Sequence, residues 1–466
     1  MLNERKGFIE QLFIRYKVDA SAKSKLFAEF LNEKLVVETF DQMQEKQNII
    51  MSHWDKKVKL DDIKQASLVM PNATAGKDYK FVLDITKKPF DNITAYDVLL
   101  PENVGLAYDA AANSISGIPL VSGDYTMIFK FQIADSEDWY EKPVRFVVNA
   151  NPKSLWKDLP SNKEDQYWKE DAKQTAGSFG THHIVAASKR GRSHAHEGTY
   201  RDDEYDYTFY EETGWGLVVV SDGAGSAKSS RKGSILACES VKEYFKTALA
   251  PEEWLAIDEA VTKFSQDKNE DNSKALSQLL IGNLSKAAYG AHKSLAEFAT
   301  KKEVPLKDFA ATLLFSLVKK FDFGYCIASF GVGDGGIGLY DETSQTSALL
   351  TLPDGGEFAG QTRFITMPEI FKDDIYFKRF SIKIVEKFTA LVWMTDGITD
   401  PKFQTDANLN KFEKWQALWN DLNGQNDDAA KVDFNKDNEQ MAEQLSAWLD
   451  FWSPGNHDDR TIVVLF

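Results

Sequence analysis

The feature that most constrains the fold is an apolar run ending on an acidic turn, GWGLVVVSDGAGSAKSS at residues 214–230. Trp215–Val220 is short, apolar and β-branched, which predicts a buried strand. Asp222 and Gly223 follow this run, and helical spacing begins a few residues later. We therefore expect an acidic side chain at a strand tip, beside glycines that allow close backbone approach.

The same pattern of an apolar strand with a carboxylate at one end occurs at three more places. These are Asp396-Gly397 after Leu391–Thr395, Asp334 after Tyr325–Phe330, and Asp458-Asp459 before Thr461–Phe466. Turn formation alone explains one such aspartate, but four at the same edge of a sheet would repel one another unless cations lay among them. The repetition therefore predicts a cation site.

Composition excludes several classes of protein. The chain of 466 residues has 55 basic and 71 acidic residues, a net charge of −16, which disfavours a nucleic-acid-binding surface. Cys238 and Cys326 lie far apart in apolar segments, so neither a disulfide framework nor a zinc pattern is expected. No apolar run is long enough to span a membrane, and the N-terminus lacks the features of a signal peptide. These observations predict a soluble, cytoplasmic protein.

The character of the sequence changes along the chain and predicts four regions. Residues 1–60 carry two apolar stripes with helical spacing, which favours a helical hairpin packing on the rest of the chain, with a partner-binding or dimerising helix pair as the alternative. Residues 62–150 have short alternating runs typical of a small β-sandwich. Residues 151–176 are polar and are interpreted as a linker, and residues 177–466 are interpreted as one domain of helices and strands.

In this last region the strands follow one another between Ala311 and Thr395, while the helices come in blocks. That order favours antiparallel sheets covered by helices over a parallel βαβ fold. Predicted strands are His183–Ala187, Tyr205–Tyr210, Gly216–Val220, Ala311–Val318, Gly324–Phe330, Ile337–Tyr340, Ser347–Leu352, Tyr376–Ile384, Thr389–Met394 and Thr461–Phe466. Predicted helices are Ser229–Thr247, Ser273–Lys301, Lys411–Leu422 and Asn438–Phe451. Two stretches that follow acidic strand ends are interpreted as insertions that overhang a site, namely Asp354–Asp374 and Phe403–Asn410 with the helix after it.

The candidate ligands all offer oxygen: Asp203, Asp222, Asp334, Asp396, Asp400 and Asp458. Such a set favours Mg²⁺ or Mn²⁺ over Zn²⁺. Two ions about 4 Å apart, bridged by Asp222 with the Gly223 carbonyl as a further ligand, can activate a water and clamp phosphoryl oxygens. The chemistry indicated is hydrolysis of a phosphate ester by direct attack of water, and a single structural cation site is the alternative.

A resemblance helps with the second region. Residues 105–135, GLAYDAAANSISGIPLVSGDYTMIFKFQIAD, resemble an immunoglobulin-like module with the pattern GLxxD…ISGxP…GxY. The glycines and Pro119 suit turns, and Ile115, Tyr125 and Phe129 suit a core. Modules of this kind usually bind or act as spacers, and they rarely catalyse reactions.

Residues 177–466 resemble the metal-dependent PPM (type 2C) family of serine/threonine protein phosphatases, in its bacterial branch. Six motifs appear in family order: SKRGRSHAHEGTYRDDEYDY, VVVSDGAGSAKSS, AATLLFSLV, FGVGDGGIGLY, MTDGITD and HDDRTIVVLF. The resemblance implies an αββα four-layer sandwich with two metal ions at one edge of the sheets, and a third ion in some members. It also implies metal ligands at Asp203, Asp222, Gly223, Asp334, Asp396 and Asp458, with Asp222 and Asp396 central to catalysis.

The sequence departs from the family pattern at three places. Ala224 stands where animal members carry a histidine general acid, and His194, His196 and His457 are candidates to replace it, His194 foremost. GDGG replaces GDSR, which bears on the third ion. Gly198 stands where the first motif usually has a phosphate-binding arginine, and Arg190 or Arg201 is the candidate substitute because a guanidinium suits a phosphate.

Three functions remain open at this point. The first is a Mn²⁺- or Mg²⁺-dependent phosphatase acting on phosphoserine or phosphothreonine in a protein. The second is a phosphatase-like scaffold, weakly active or inactive, that binds a signalling partner. The third is hydrolysis of a small phosphorylated molecule. The resemblance also suggests a serine/threonine kinase or a von Willebrand A-type protein as a partner.

Overall fold

The structure is a computed structural model that describes residues 2–134, 136–354, 362–372 and 374–466. The chain divides into two compact units, residues 1–155 and residues 156–466. Most of the stretch interpreted as a linker, 151–176, thus belongs to the second unit. Among the described residues, none of the helices has both the length and the apolar content to cross a lipid bilayer.

The first unit begins with helices and ends with strands. Its α-helices are α1 (Leu2–Arg15), α2 (Ser24–Phe30) and α3 (Lys34–Gln65), and its 3₁₀ helices are Ser21–Lys23, Phe90–Asn92 and Pro152–Leu155. The turn before Ser24 is held by Asp19, whose Oδ1 accepts a hydrogen bond from the Ser21 amide at 2.9 Å. The rings of Phe8 and Phe40 lie 5.6 Å apart and join α1 to α3.

Two sheets complete this unit. The strands are β1 (Ala73–Thr74), β2 (Tyr79–Val82), β3 (Ile93–Leu99), β4 (Leu106–Asp109), β5 (Ser114–Gly117), β6 (Gly123–Ile133) and β7 (Tyr140–Asn149). They form a four-stranded sheet in the order β1-β7-β6-β3 and a three-stranded sheet in the order β2-β5-β4. Ile115, Phe129 and Phe146 are buried in one apolar cluster with Ile63 of α3. The end of the long helix is therefore part of the core of this unit.

The second unit contains two larger antiparallel sheets. Their strands are β8 (Ala172–Phe179), β9 (His182–Lys189), β10 (Glu204–Tyr210), β11 (Trp215–Ser221), β12 (Leu313–Phe321), β13 (Gly324–Val332), β14 (Gly336–Asp341), β15 (Thr346–Leu349), β16 (Phe380–Val385), β17 (Ala390–Met394) and β18 (Arg460–Leu465). One sheet has the order β10-β11-β12-β13-β16, and the other has the order β15-β14-β17-β18-β9-β8.

Helices fill the rest of this unit. They are α4 (Arg192–Glu197), α5 (Ser230–Thr247), α6 (Pro251–Gln266), α7 (Glu270–Lys302), α8 (Asp396–Phe403), α9 (Phe412–Leu422) and α10 (Met441–Trp448), with 3₁₀ helices at Leu306–Phe309, Pro368–Phe371, Tyr376–Arg379 and Asp406–Asn410. The expectation of a mixed α+β fold with antiparallel sheets is confirmed.

Three apolar clusters hold these elements together. Residues of α5, α6 and α7 are buried with β11, β12 and β13 in one cluster, and residues of α8, α9 and α10 are buried with β9, β14, β17 and β18 in another. A third cluster joins the two sheets, with Val218 and Ile327 from the first and Trp393 and Val463 from the second. Trp393 also donates a hydrogen bond to Ser316 of the other sheet at 3.1 Å.

Some expected elements differ from those observed. Strand β8 occupies part of the predicted linker. The sequence did not indicate this strand, because it lies at the edge of its sheet and its outward-facing polar residues leave no apolar run. The predicted strand Tyr376–Ile384 begins as a 3₁₀ helix and becomes extended only at Phe380. Helix α6 was not expected, although Pro251 and two glutamates in its first turn are typical of a helix start. Within the insertion predicted at Asp354–Asp374, residues 355–361 and 373 lie outside the described residues.

The strand register brings the acidic ends to one edge of the sheets. Glu204 pairs with Ser221 in antiparallel strands, so Asp203, just before β10, and Asp222, just after β11, lie at the same end of the sheet. Gly336 pairs with Met394, and Met394 pairs with Ile462, so the turns carrying Asp334, Asp396 and Asp458 also meet there. The fold thus gathers residues remote in sequence at one edge.

Candidate metal centre

Hydrogen bonds to Thr312 fix the backbone of Asp222. Its amide donates a hydrogen bond to Thr312 Oγ1 at 2.8 Å, and its carbonyl accepts one from the Thr312 amide at 2.7 Å. A Cβ on the next residue, Gly223, would lie 2.7 Å from the carbonyl oxygen of Asp202. Glycine is therefore needed for the β11 turn to approach the Asp202-Asp203 segment.

Asp396 and Asp334 are placed by two further glycine turns. Asp396 opens α8 one residue after β17, and a Cβ on Gly397 would lie 1.8 Å from the carbonyl oxygen of Asp459. Gly333, which precedes Asp334, has φ +119°, a conformation that favours glycine. Asp334 Oδ2 accepts a hydrogen bond from Thr362 Oγ1 at 2.5 Å.

These three carboxylates converge. One oxygen each from Asp222, Asp334 and Asp396 lies within 4.8 Å of the other two. Asp203 is fully buried beside them, and its Oδ2 accepts hydrogen bonds from Thr395 Oγ1 at 2.8 Å and Thr461 Oγ1 at 2.7 Å. The structure therefore places Asp203 between Thr395, which follows β17, and Thr461, near the start of β18.

Asp458 and Asp400 lie at the margin of this group. Asn456 joins them, since its Oδ1 accepts from the Asp458 amide at 3.3 Å and its Nδ2 donates to Asp400 Oδ2 at 3.2 Å. The Asp458 side chain is 47% exposed, and its charge acts on both Asp222 and Asp396. It thus faces the cluster from the solvent side.

The electrostatics show how closely these groups crowd. Burial, followed by the charges of the neighbouring carboxylates, raises the pKa of Asp222 well above its usual range; those neighbours are Asp203, Asp396, Asp458 and Asp334. Burial, followed by Asp334 and Asp458, does the same to the pKa of Asp396. Burial and then Asp459 raise the pKa of Asp203 to about 8. The cluster therefore cannot be fully ionised near neutral pH without a compensating positive charge.

The donor set fits hard divalent cations. The buried Oδ1 atoms of Asp203 and Asp396 have no hydrogen-bond partner among the described residues, although buried polar atoms are nearly always paired. All donors in the cluster are oxygens, which Mg²⁺ and Mn²⁺ prefer. Unsatisfied buried oxygens and crowded carboxylates both point to a cation.

The two arginines expected to bind phosphate are already engaged by protein groups. Arg190 donates to the Thr199 and Leu159 carbonyls at 3.0 and 3.1 Å and to Asp158 at 2.9 Å. Arg201, which is 2% exposed, donates to the Glu170 and Asp203 carbonyls and to Ser188 Oγ. These contacts argue against a phosphate-binding role, because a phosphate would have to break them.

A second group of side chains adjoins the cluster. His194, Asp202 and Asp459 each place one ligand-type atom within 4.8 Å of the other two. Burial alone would lower the pKa of His194, but Asp459, Asp202 and Asp458 together raise it to about 10. Although burial opposes it, the charge of His194 and the amides of Gly191 and Asp202 hold the pKa of Asp459 below its ordinary value. His194 Nδ1 lies 3.1 Å from Asp459 Oδ1, so a protonated His194 forms an ion pair with Asp459.

The other candidate histidines pack against tryptophans. The His457 ring lies 4.4 Å from Trp156 and 4.8 Å from Trp452, measured between centroids. His196 Nδ1 accepts a hydrogen bond from the Lys157 amide at 3.0 Å. The structure therefore brings only His194 of the three into the ion pair with Asp459.

A buried ionic network supports the strand that follows Asp203. Glu204 lies 3.2 Å from Lys169 Nζ and 2.6 Å from Lys173 Nζ, and Arg201 approaches it at 3.8 Å. Despite burial, these cations lower the pKa of Glu204 to about 2. Burial and Arg201 lower the pKa of Lys169 to about 8, against the opposing effect of Glu204. The groups of this network are therefore charged at neutral pH, and the stability of the fold depends on the Glu204 carboxylate.

Replacing Glu204 with Gln is expected to lower the free energy of unfolding by on the order of 3 kcal/mol at neutral pH, since buried cations lose their partner. The folded pKa of about 2 lies below the ordinary 4.5, so this stabilisation is present above pH 4.5 and lost as pH falls towards 2. Urea unfolding of both proteins across that range measures the difference. The exposed Glu211→Gln is the control, and a constant difference down to pH 2 would contradict the assignment.

Several positioning residues escaped the sequence reasoning. Thr312, Thr395 and Thr461 orient Asp222 and Asp203, yet single threonines carry no local signal. Asp459 was visible only as the neighbour of Asp458, and its 2% exposure is a property of the fold. The Asp-Gly turns, by contrast, were recognisable from the sequence because strand and turn are local features.

Comparisons with known proteins bear on the family of this chain. A family model described as protein phosphatase 2C matches residues 190–450. A comparison with curated proteins finds no match. Among solved structures, a bacterial serine phosphatase bearing a mutation is 16% identical, with 62% of this chain and 98% of that chain covered and a TM-score of 0.36.

Two further solved structures are similar in the same way. The catalytic domain of the serine threonine protein phosphatase PstP, in complex with two manganese ions, is 13% identical over 60% of this chain and 96% of that chain, with a TM-score of 0.36. RsbX in complex with magnesium is 13% identical over 63% and 98%, with a TM-score of 0.35. Because these TM-scores are below 0.5, the assignment depends on the family model, which spans more than half of the sequence. The chain belongs to the protein phosphatase 2C family.

Proposed function

We propose that the second unit is a protein phosphatase that hydrolyses phosphoserine or phosphothreonine with the help of Mn²⁺ or Mg²⁺. The observation that carries this proposal is the convergence of Asp222, Asp334 and Asp396, with Asp203 and Asp458 acting on them electrostatically. Family membership supports the reaction class, and the solved relatives are named as serine or serine/threonine phosphatases.

The proposed metal ligands are Asp203, Asp222, Asp396 and Asp458, with the Gly223 carbonyl and, for a third ion, Asp334. When bound, a pair of divalent ions would supply Lewis acidity that neutralises phosphoryl oxygens and acidifies an attacking water. Thr395 and Thr461 hold one oxygen of Asp203 and leave the other free. Thr312 fixes the backbone of Asp222. These hydrogen bonds support the proposal, because they orient two of the carboxylates that would bind the cations.

We further propose that the second unit is an αββα four-layer sandwich and that the strands of the first unit form an immunoglobulin-like module. The first proposal is supported by the cluster between the two sheets and by the helical cluster on each. The second is supported by two small sheets around a shared core. A comparison of these layers in an experimental structure tests both.

The test of the phosphatase proposal is release of phosphate from a phosphoserine peptide by the full-length protein. We expect turnover with Mn²⁺ and none after addition of a chelator, with activity restored by excess Mn²⁺, because the carboxylates cannot remain ionised together without cations. Turnover that a chelator does not change would contradict the proposal.

One observation favours a second candidate, a phosphatase-like scaffold that binds a partner. Both Arg190 and Arg201 are engaged by protein oxygens, so neither offers a free guanidinium to a phosphate. Titration calorimetry with Mn²⁺, combined with a phosphate-release assay, separates the two candidates, and absence of Mn²⁺ binding would also favour the scaffold. Binding of Mn²⁺ without turnover of any phosphate ester would favour the scaffold.

A further inference from the structure

A buried ion pair lies against the turn that carries Asp334. Arg379 is the last residue of the 3₁₀ helix before β16, and its side chain is fully buried. It donates a hydrogen bond to Asp354 Oδ2 at 2.6 Å, and the side chain of Asp354 is 5% exposed. Taking a guanidinium and a carboxylate out of water has a large free-energy cost, which their attraction often does not repay. Stability alone therefore does not account for the pair.

Asp354 holds the peptide groups on both sides of Gly333. Its Oδ2, the same atom that Arg379 contacts, accepts a hydrogen bond from the Gly333 amide at 2.8 Å. Its own amide donates a hydrogen bond to the Gly333 carbonyl at 2.8 Å. Gly333 has φ +119°, and this conformation sets the direction in which the chain enters Asp334. A shift of Asp354 would therefore move Asp334.

The same turn contacts the residue that holds Asp222. A Cβ on Gly333 would lie 2.5 Å from Thr312 Cβ, too close for any residue with a side chain, so the backbone of Gly333 packs directly on Thr312. Thr312 in turn forms hydrogen bonds with the amide and the carbonyl of Asp222. The place of Asp334 relative to Asp222 thus depends on Gly333, which has Thr312 on one side and Asp354 on the other.

The guanidinium gives Asp354 a fixed orientation. One carboxylate oxygen receives both the Arg379 and the Gly333 donors. Without Arg379, a buried carboxylate would be left with its charge uncompensated, which is costly, and it would reorient or take up a proton. The hydrogen bond to Gly333 would then lose the partner that fixes it. Arg379 therefore acts on Gly333 through Asp354.

We propose that Arg379 and Asp354 are positioning residues for the metal centre, and that their ion pair, acting through Gly333, sets the place of the Asp334 carboxylate. The inference rests on the proposed phosphatase function, in which Asp334 holds an ion. Groups that orient a metal ligand typically change metal affinity by about 10- to 100-fold when they are removed. The ion pair thus controls how tightly a cation is held at Asp334.

The test measures Mn²⁺ binding to the full-length protein by titration calorimetry. We expect Arg379→Met to weaken, by about tenfold or more, the Mn²⁺ binding that Asp334→Ala also weakens. Arg379→Lys keeps a charge without the guanidinium and should lose less. In the double variant of Asp334→Ala and Arg379→Met, loss of the arginine should add less than about twofold, because no carboxylate is left to position.

A second variant covers the case in which the arginine cannot be replaced without unfolding. Asp354→Asn keeps an oxygen for the Gly333 amide and removes only the charge, so it is the milder change. It should weaken the same Mn²⁺ binding, and it too should add little to Asp334→Ala. Melting curves with a chelator show that each variant is folded before Mn²⁺ is added.

The matched control is an ion pair at the other end of the same sheet. Asp258 of α6 lies 2.5 Å from Lys319, which pairs with Trp215 near the end of β12 that is remote from Thr312. Asp258→Asn should lower the melting temperature and leave Mn²⁺ binding unchanged, as a merely structural role would.

The outcomes separate this inference from its basis. If Arg379→Met and Asp354→Asn bind Mn²⁺ as tightly as the wild-type protein, the positioning role is wrong while the phosphatase proposal stands. The same holds if they weaken Mn²⁺ binding equally with and without the Asp334 carboxylate. If the wild-type protein binds no Mn²⁺, the proposed metal-dependent function fails, and this inference fails with it.

Discussion

Asp222→Asn is expected to abolish Mn²⁺-dependent phosphate release and, in the metal-free protein, to raise the melting temperature. The loss of activity should be about 10³-fold or more, because this carboxylate lies in the middle of the cluster and its charge is the one most needed by cations. The gain in stability follows from the crowding. Burial and four neighbouring carboxylates raise the pKa of Asp222 well above its usual range. Folding at neutral pH without metal therefore costs either an unfavourable charge or the uptake of a proton, and a neutral amide removes that cost.

Two melting curves check this prediction, one with a chelator and one with Mn²⁺. Each kcal/mol gained in the metal-free protein should appear as about 2–4 °C in a unit of this size. The variant should lose the rise in melting temperature that Mn²⁺ gives the wild-type protein, because a bound ion stabilises only the state that holds it.

The matched control is another buried aspartate with the opposite environment. Asp341 is 7% exposed, and its carboxylate accepts hydrogen bonds from the Thr343 amide and Ser344 Oγ at 3.1 and 2.6 Å. Although burial opposes it, these bonds lower the pKa of Asp341. Asp341→Asn should therefore lower the melting temperature and leave hydrolysis intact. A lower melting temperature for metal-free Asp222→Asn would contradict the account of the cluster as mutually repelling.

The contrast between these aspartates shows what a sequence can reveal. Asp222 and Asp396 were predicted because each follows an apolar strand and precedes a glycine, a pattern complete within about ten residues. Asp459 acts through amides of Gly191 and Asp202, more than 250 positions earlier in the chain. No local pattern encodes such a pairing, so its role could only be read from the fold.

The two arginines of the first motif show a further limit of prediction from sequence. Arg190 and Arg201 were plausible phosphate ligands by residue type and position in the first motif. In the structure, each guanidinium donates hydrogen bonds to backbone carbonyl oxygens, Arg190 to those of Thr199 and Leu159 and Arg201 to that of Glu170. Whether a guanidinium is free depends on which backbone groups surround it, and that is decided by packing. The fold class was easier to predict. The order of strands and helices along the chain can be read from the sequence without knowing which residues contact one another.

Gly397→Ala adds only one methyl group, but it is expected to cause a large displacement of the backbone around Asp396. Its new Cβ would lie 1.8 Å from the carbonyl oxygen of Asp459, a backbone atom that cannot rotate away. The turn carrying Asp396 and the segment carrying Asp458 must therefore move apart. We expect a loss of about 1–3 kcal/mol or more in the free energy of unfolding and at least about a tenfold loss of Mn²⁺-dependent hydrolysis, since misplacing catalytic groups by an ångström is costly.

Gly336→Ala is the matched control at the same edge of the sheets. A Cβ there would meet side-chain atoms of Leu349, Thr399 and Leu409 at 3.6 to 3.8 Å, which is ordinary contact. Its free energy of unfolding should therefore change by less than about 1 kcal/mol, and hydrolysis should persist. Urea unfolding and phosphate release measured on both variants decide the matter. Because both changes add the same methyl group, equal behaviour of the two variants would show that the contact between Gly397 and Asp459 does not hold the metal-binding turns in register.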